Sequence, residues 1–155
     1  MVLPIGCSDQ KNVLYTTVGG WNGYLDLYLP RDRSKPVPIV LLFHGGGWNH
    51  GAKEDVQRGA LPFLKLGWAV ANVEYRLLNV ASAPAAVEDA RCALLWLVAH
   101  AKALDLDPEK IITTGSSTGA HLALMAGLLS PHNRFDRNCA AHRYHSRFRR
   151  EYLPM

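Results

Sequence analysis

The chain has 155 residues, 48% of them hydrophobic, which suits one domain with a real core and excludes a disordered or fibrous polypeptide. Its formal charge of +4 is unevenly placed. Residues 1–131 hold eleven Lys and Arg against eleven Asp and Glu, whereas the remainder sets Arg134, Arg137, Arg143, Arg147, Arg149 and Arg150 against only Asp136 and Glu151. The body is therefore neutral and the end is basic. Such a tail could bind nucleic acid or acidic lipid, but six arginines without a recognition fold are weak evidence for it, and no nucleic-acid partner is expected.

Residues 13–17 (VLYTT) and 23–29 (GYLDLYL), separated by Gly-Gly-Trp-Asn, predict a β-hairpin. Leu25, Leu27 and Leu29 alternate with Tyr24, Asp26 and Tyr28, the pattern of a half-buried strand. The run 38-PIVLLFHGGGW-48 predicts a strand buried on both faces that ends in glycines. Residues 54–66 carry helical spacing through Val56, Ala60, Phe63 and Leu64, weakened by Gly59 and Pro62. A second buried strand follows at 68-WAVANVEY-75.

The clearest helix starts near Pro84, with Val87, Ala90, Leu94, Leu97, Val98 and Ala101 at three- and four-residue steps. A short strand, 111-IITT-114, then leads into a helix from Thr118 to Leu129. The alternation of strands and helices predicts an α/β fold with a mainly parallel sheet, edged by the antiparallel N-terminal hairpin. After Ser130 neither a period of two nor one of 3.6 persists. This divides the chain into a body at 1–131 and a basic, irregular tail at 132–155.

Cys7, Cys92 and Cys139 are odd in number and widely spaced, which indicates neither a disulfide framework nor a zinc site; no metal or other cofactor is expected. No apolar run is long enough to span a membrane, so no membrane partner is expected. The N-terminus lacks the basic start and apolar core of a secretory signal. As written the chain reads as cytoplasmic; an incomplete N-terminus would leave a secreted or periplasmic location open.

Gly115-Ser116-Ser117-Thr118-Gly119 fits G-x-S-x-G between a strand and a helix, where the central serine occupies a tight turn. Ser117 is thus the candidate nucleophile, and Ser116 its neighbour. The loop 44-HGGGW-48 follows a buried strand and frees backbone N–H groups from side-chain cover, as an oxyanion hole requires. Gly45 to Gly47 and the N–H of Thr118 are the candidate donors. Arg76 is expected to pair with Asp89 or Glu88 as a structural tie.

The segments LDLYLP at 25–30, HGGGW at 44–48, EYRL at 74–77, EDARCALLWL at 88–97 and GSSTGAHLALM at 115–125 resemble, in order, the α/β-hydrolase superfamily. The likeness lies in its lipase and esterase branch, which includes hormone-sensitive-lipase-like and feruloyl-esterase-type carboxylesterases. It implies a serine hydrolase acting on small acyl esters, acylated at Ser117, with Gly45, Gly46 and Thr118 holding the oxyanion. It also implies that Trp48 shapes the substrate pocket or packs under the loop, and that His44 supports the loop. His121 is read as structural.

An arylformamidase-like amidase resembles the same motifs, and a non-catalytic remnant or binding module is the reading from another class. In this superfamily the acid and base follow the nucleophile, yet only 38 residues follow Ser117. Asp136, His142 and His145 stand in the right order, 19, 25 and 28 positions later, without strands to hold them. The expectation is therefore the N-terminal part of a hydrolase, ended early. Its open sheet edge makes self-association possible.

Overall fold

The computed structural model describes residues 1–139. Five strands form one sheet in the order β1-β2-β4-β3-β5: β1 (Cys7–Val18), β2 (Trp21–Pro30), β3 (Val37–Phe43), β4 (Ala69–Val73) and β5 (Leu106–Gly115). The pairs β1–β2 and β2–β4 are antiparallel, and β3–β4 and β3–β5 are parallel. The α/β architecture with an N-terminal hairpin is as expected, in a sheet that is mixed. Gly19 and Gly20, with φ of 56° and 83°, close the hairpin in the doubly left-handed turn that matches strand twist.

The alternation in β2 sorts residues between two buried layers. Leu25, Leu27 and Leu29 join Ile39, Leu41, Phe43, Ala69, Ala71 and Val73 in the larger core, while Tyr28 joins Val40, Leu42 and Val70 in a smaller one. Asp26 and Tyr28 were expected to face water. They are buried because the second face of the sheet is covered as well, by the helical segments at residues 53–65.

The larger core is covered by α3 (Ala83–His100) and α4 (Thr118–Leu128). The smaller lies under α1 (Lys53–Val56), a 3₁₀ turn at Gln57–Ala60 and α2 (Leu61–Lys65). The single helix expected over 54–66 is split into these pieces, with Pro62 in the first turn of α2, where its missing N–H costs nothing. On α3, Leu94 and Val98 are only partly buried, whereas Asp89, Arg91 and Cys92 are buried. The stripe is wider than the periodicity suggests because α3 packs against the sheet on one side and against α4 and the following turn on others.

That following turn corrects two expectations. Residues 132–139 are not irregular throughout: Arg134–Asp136 forms a 3₁₀ turn, and Asp136, 1% exposed, accepts from Nε and Nη2 of Arg91 at 2.8 and 3.0 Å. Arg91 Nη1 also donates to the carbonyls of Ala126 and Leu129, capping the end of α4. Next to it Cys92 and Cys139 form a disulfide across 47 residues of sequence, where spacing alone had indicated none. Cys7 stays free. Residues 140–155, with His142, His145 and most of the expected basic tail, lie outside the described residues.

Candidate active site at the β5–α4 elbow

Helix α4 starts directly from the C-terminal end of β5, and Ser117 is the residue at which the chain turns. It has φ 52° and ψ −119°, a conformation that side-chain-bearing residues rarely occupy. The two flanking glycines are demanded by packing. A methyl group on Gly115 would lie 2.6 Å from the carbonyl oxygens of Phe43 and Gly119; one on Gly119 would lie 2.5 Å from the His44 carbonyl oxygen and overlap that of Phe43. Helix α4 therefore crosses the end of β3 at backbone contact distance.

This close crossing sets the glycine loop against the elbow. A Cβ on Gly45 would lie 2.9 Å from the Ser116 carbonyl oxygen and 3.5 Å from Ser117 Cβ. Thr118 is the first residue of α4 and 3% exposed; its N–H has no intrahelical acceptor. The Gly45 carbonyl accepts from His44 Nδ1 at 2.7 Å, and the Gly46 carbonyl accepts from the N–H groups of Asn49 and His50 at 3.0 and 3.2 Å. In a planar trans peptide the next N–H points opposite to the carbonyl. The Gly46 N–H is thus turned away from the His44 ring, and the Gly47 N–H away from the 49–50 turn.

His44 is 1% exposed and stacks on Tyr75 with ring centroids 4.2 Å apart. The Tyr75 hydroxyl donates to the His44 carbonyl at 2.8 Å. Burial pushes the His44 imidazole below its ordinary value, partly opposed by the bond to Gly45, so it is held neutral with the proton on Nδ1. Burial also pushes the Tyr75 hydroxyl up to about 12. Gly51 closes the far side of the loop, with no room for a Cβ between the Gly45 carbonyl and the His44 ring. Tyr75 was legible only as part of the link after β4; its contact with a residue 31 positions earlier leaves no local signal.

Trp48 has φ 62° and is fixed there by the Leu78 N–H, which donates to its carbonyl at 2.8 Å. Its ring meets His121 edge-on at 5.7 Å. Trp48 thus connects the glycine loop to α4 one turn beyond Ser117. His121 is engaged with that ring, and His44 with Gly45 and Tyr75. Asp136 is held by Arg91, which donates to both of its carboxylate oxygens. No group of three or more His, Cys, Asp or Glu able to hold a metal occurs among the described residues.

Two buried ionic clusters hold the site's supports. Arg76 donates through Nε and Nη2 to Asp89 and through Nη2 to Glu88, the structural tie expected, engaging both acids rather than one. On the opposite face Asp26, 2% exposed, is 3.0 Å from both Lys53 and Lys11. Burial raises the Asp26 carboxyl, but the Asn12 N–H and the two ammonium groups outweigh this and hold it below the usual carboxylate range. Lys53 follows the glycine loop directly, so this pair pins the loop's exit.

The chain matches the BD-FAE family over residues 25–151. It belongs to that α/β-hydrolase-type family. Carboxylesterase NlhH of Mycobacterium tuberculosis is 33% identical over 115 residues, covering 70% of this chain and 36% of that protein. The structure of Bacterial Heroin Esterase superposes with a TM-score of 0.70 at 36% identity, over 77% of this chain and 38% of that one. A butyrate-bound esterase of Thermogutta terrifontis gives 0.74 at 25%, over 88% and 49%. The chain thus spans less than half of each of these proteins. No helix among the described residues is long and apolar enough to cross a membrane.

Proposed function

We propose that this chain carries the nucleophile and oxyanion-binding half of a serine carboxylesterase for small acyl esters. The observation that carries the reading is the strained Ser117 elbow, with φ 52°, packed against a glycine loop whose carbonyls are turned into other bonds. Backbone strain of this kind persists only where packing holds it, and such sites concentrate where chemistry occurs. Ser117 Oγ would attack the ester carbonyl, forming a C–O bond as its proton passes to a base. The N–H groups of Thr118, Gly46 and Gly45 would hold the developing oxyanion, and the alcohol would leave with a proton.

The catalytic acid and base are not assigned among the described residues. The kinship supports the ester class: the Thermogutta terrifontis esterase 2 has been solved phosphorylated by paraoxon, and a second structure of an esterase from that organism with butyrate bound. Trp48, set between the loop and α4, is the residue proposed to line the acyl or alcohol side. The body that presents this site is proposed to run from residue 1 to the clamp at Cys139, eight residues beyond the boundary drawn from periodicity.

Prolonged incubation with an excess of a short p-nitrophenyl ester tests the reading. The expected result is the slow release of one p-nitrophenolate per chain that is absent in Ser117→Ala, since the oxyanion donors favour attack by this serine even where no base is assigned. Release that survives Ser117→Ala, or release no greater than that of Ser117→Ala, contradicts it.

A further inference from the structure

Tyr75 has no part in the chemistry described above, yet the peptides on both sides of it are fixed. The Glu74 carbonyl before it accepts from the Tyr15 hydroxyl at 2.7 Å, and the Arg76 N–H after it donates to Asp89 at 2.8 Å. Tyr15 and Asp89 are both buried, so the tyrosine projects from a backbone anchored in the core. Its side chain is spent on the glycine loop. The hydroxyl donates to the His44 carbonyl at 2.8 Å, and the ring lies on the His44 imidazole with 14° between the planes. With its pKa pushed up to about 12 by burial, the hydroxyl remains a donor throughout the neutral range.

The plane of the imidazole decides where its Nδ1–H points. In the plane that Tyr75 sets, Nδ1 donates to the Gly45 carbonyl at 2.7 Å and lies 3.3 Å from the Tyr75 hydroxyl oxygen. Two consecutive carbonyls, those of His44 and Gly45, are therefore held by two atoms 3.3 Å apart, one on each ring of the stack. Because a trans peptide is planar, holding the Gly45 carbonyl turns the Gly46 N–H to the opposite side. Gly45, Gly46 and Gly47 have no side chains to choose that orientation for themselves, and glycine leaves the backbone the most freedom to lose it.

We propose that Tyr75 is a positioning residue for the oxyanion hole, holding the Gly46 N–H in its donating orientation by way of the His44 carbonyl and imidazole. The inference rests on the esterase reading and adds to it a residue that acts through another. A displacement of about 1 Å at a reacting centre can cost about a hundredfold in rate, and losing one oxyanion donor outright costs about 10²–10³. Loosening one donor among several should therefore lower the rate about tenfold or more. Tyr75→Phe isolates this effect, since it keeps the stacked ring and removes only the hydroxyl.

Release of p-nitrophenolate by the full chain, followed across a range of concentrations of a short p-nitrophenyl ester, gives a limiting rate and a half-saturating concentration. Tyr75→Phe should lower the limiting rate about tenfold or more and leave the half-saturating concentration within about twofold, because the donor acts on charge that develops only during attack. Val70→Ala, which trims the other core layer, should leave both values within about twofold of the parent, since it loosens packing without touching the donors. Amide spectra taken before and after phosphonylation of Ser117 by a fluorophosphonate, which releases fluoride and the serine proton, read the geometry itself. In the parent the Gly46 amide proton should move downfield as it bonds the phosphonyl oxygen. In Tyr75→Phe that movement should shrink by about half or more, while that of Thr118 is kept. If Ser117 of the parent takes neither reagent, the esterase reading falls and the inference falls with it. If the parent reacts and Tyr75→Phe matches it in limiting rate or in the Gly46 shift, the inference alone is overturned, as it is if Val70→Ala slows the reaction as much as Tyr75→Phe.

Discussion

The elbow's strain can be separated from its chemistry by comparing Ser117→Gly with Ser117→Ala. Both remove the hydroxyl. Alanine keeps a Cβ at φ 52° and ψ −119°, where side-chain-bearing residues cost about 1–3 kcal/mol, and glycine relieves that cost. Glycine in turn loses about 0.5–1 kcal/mol through the greater freedom of its unfolded chain. The balance favours Ser117→Gly by about 1 kcal/mol, or about 2–4 °C in Tm for a domain of this size. Thermal unfolding followed by circular dichroism reads the difference. If Ser117→Gly melted at or below Ser117→Ala, the claim that the nucleophile position is strained would be wrong.

Two further outcomes concern the supports. Asp26→Asn should destabilise by about 1–3 kcal/mol, because Lys53 and Lys11 each lose a charge-assisted bond while Lys53 keeps its pair with the exposed Glu54, as measured by urea unfolding at pH 7. The folded Asp26 carboxyl lies below its unfolded value of about 3.9. Its contribution is therefore present above about pH 3.9 and lost as pH falls through the folded value, and the variant should lack that acid limb. Replacing Cys92 and Cys139 together by serine should cost about 4 kcal/mol, the chain-entropy value for a loop of 47 residues of separation, and native thiol titration of the parent should find Cys7 alone. Three reactive thiols would contradict the pairing.

The sequence made the elements near the site legible because their signals are local. The run into HGGGW, the G-x-S-x-G turn and the alternation in β2 each act within a few residues, and each has its counterpart in β3, the elbow and the two core layers. What escaped notice is non-local. Asp26 meets Lys53 only because β2 and α1 are brought together by β4 and its neighbours, and nothing in a two-residue period distinguishes a second core from solvent. The clamp at residues 136–139 was missed for the same reason: Arg91 and Cys92 find Asp136 and Cys139 across more than 40 residues, after periodicity has ended. Tyr75 under His44 belongs to this class as well.

The central claim is that Ser117, not Ser116, is the nucleophile. Intact-mass measurement after prolonged incubation with a fluorophosphonate, followed by tryptic digestion, tests it most directly, since cleavage after Lys110 and Arg134 releases both serines in one peptide that fragmentation resolves. One adduct per chain is expected, located on Ser117 and absent from Ser117→Ala. An adduct on Ser116, or an unmodified peptide, would contradict it.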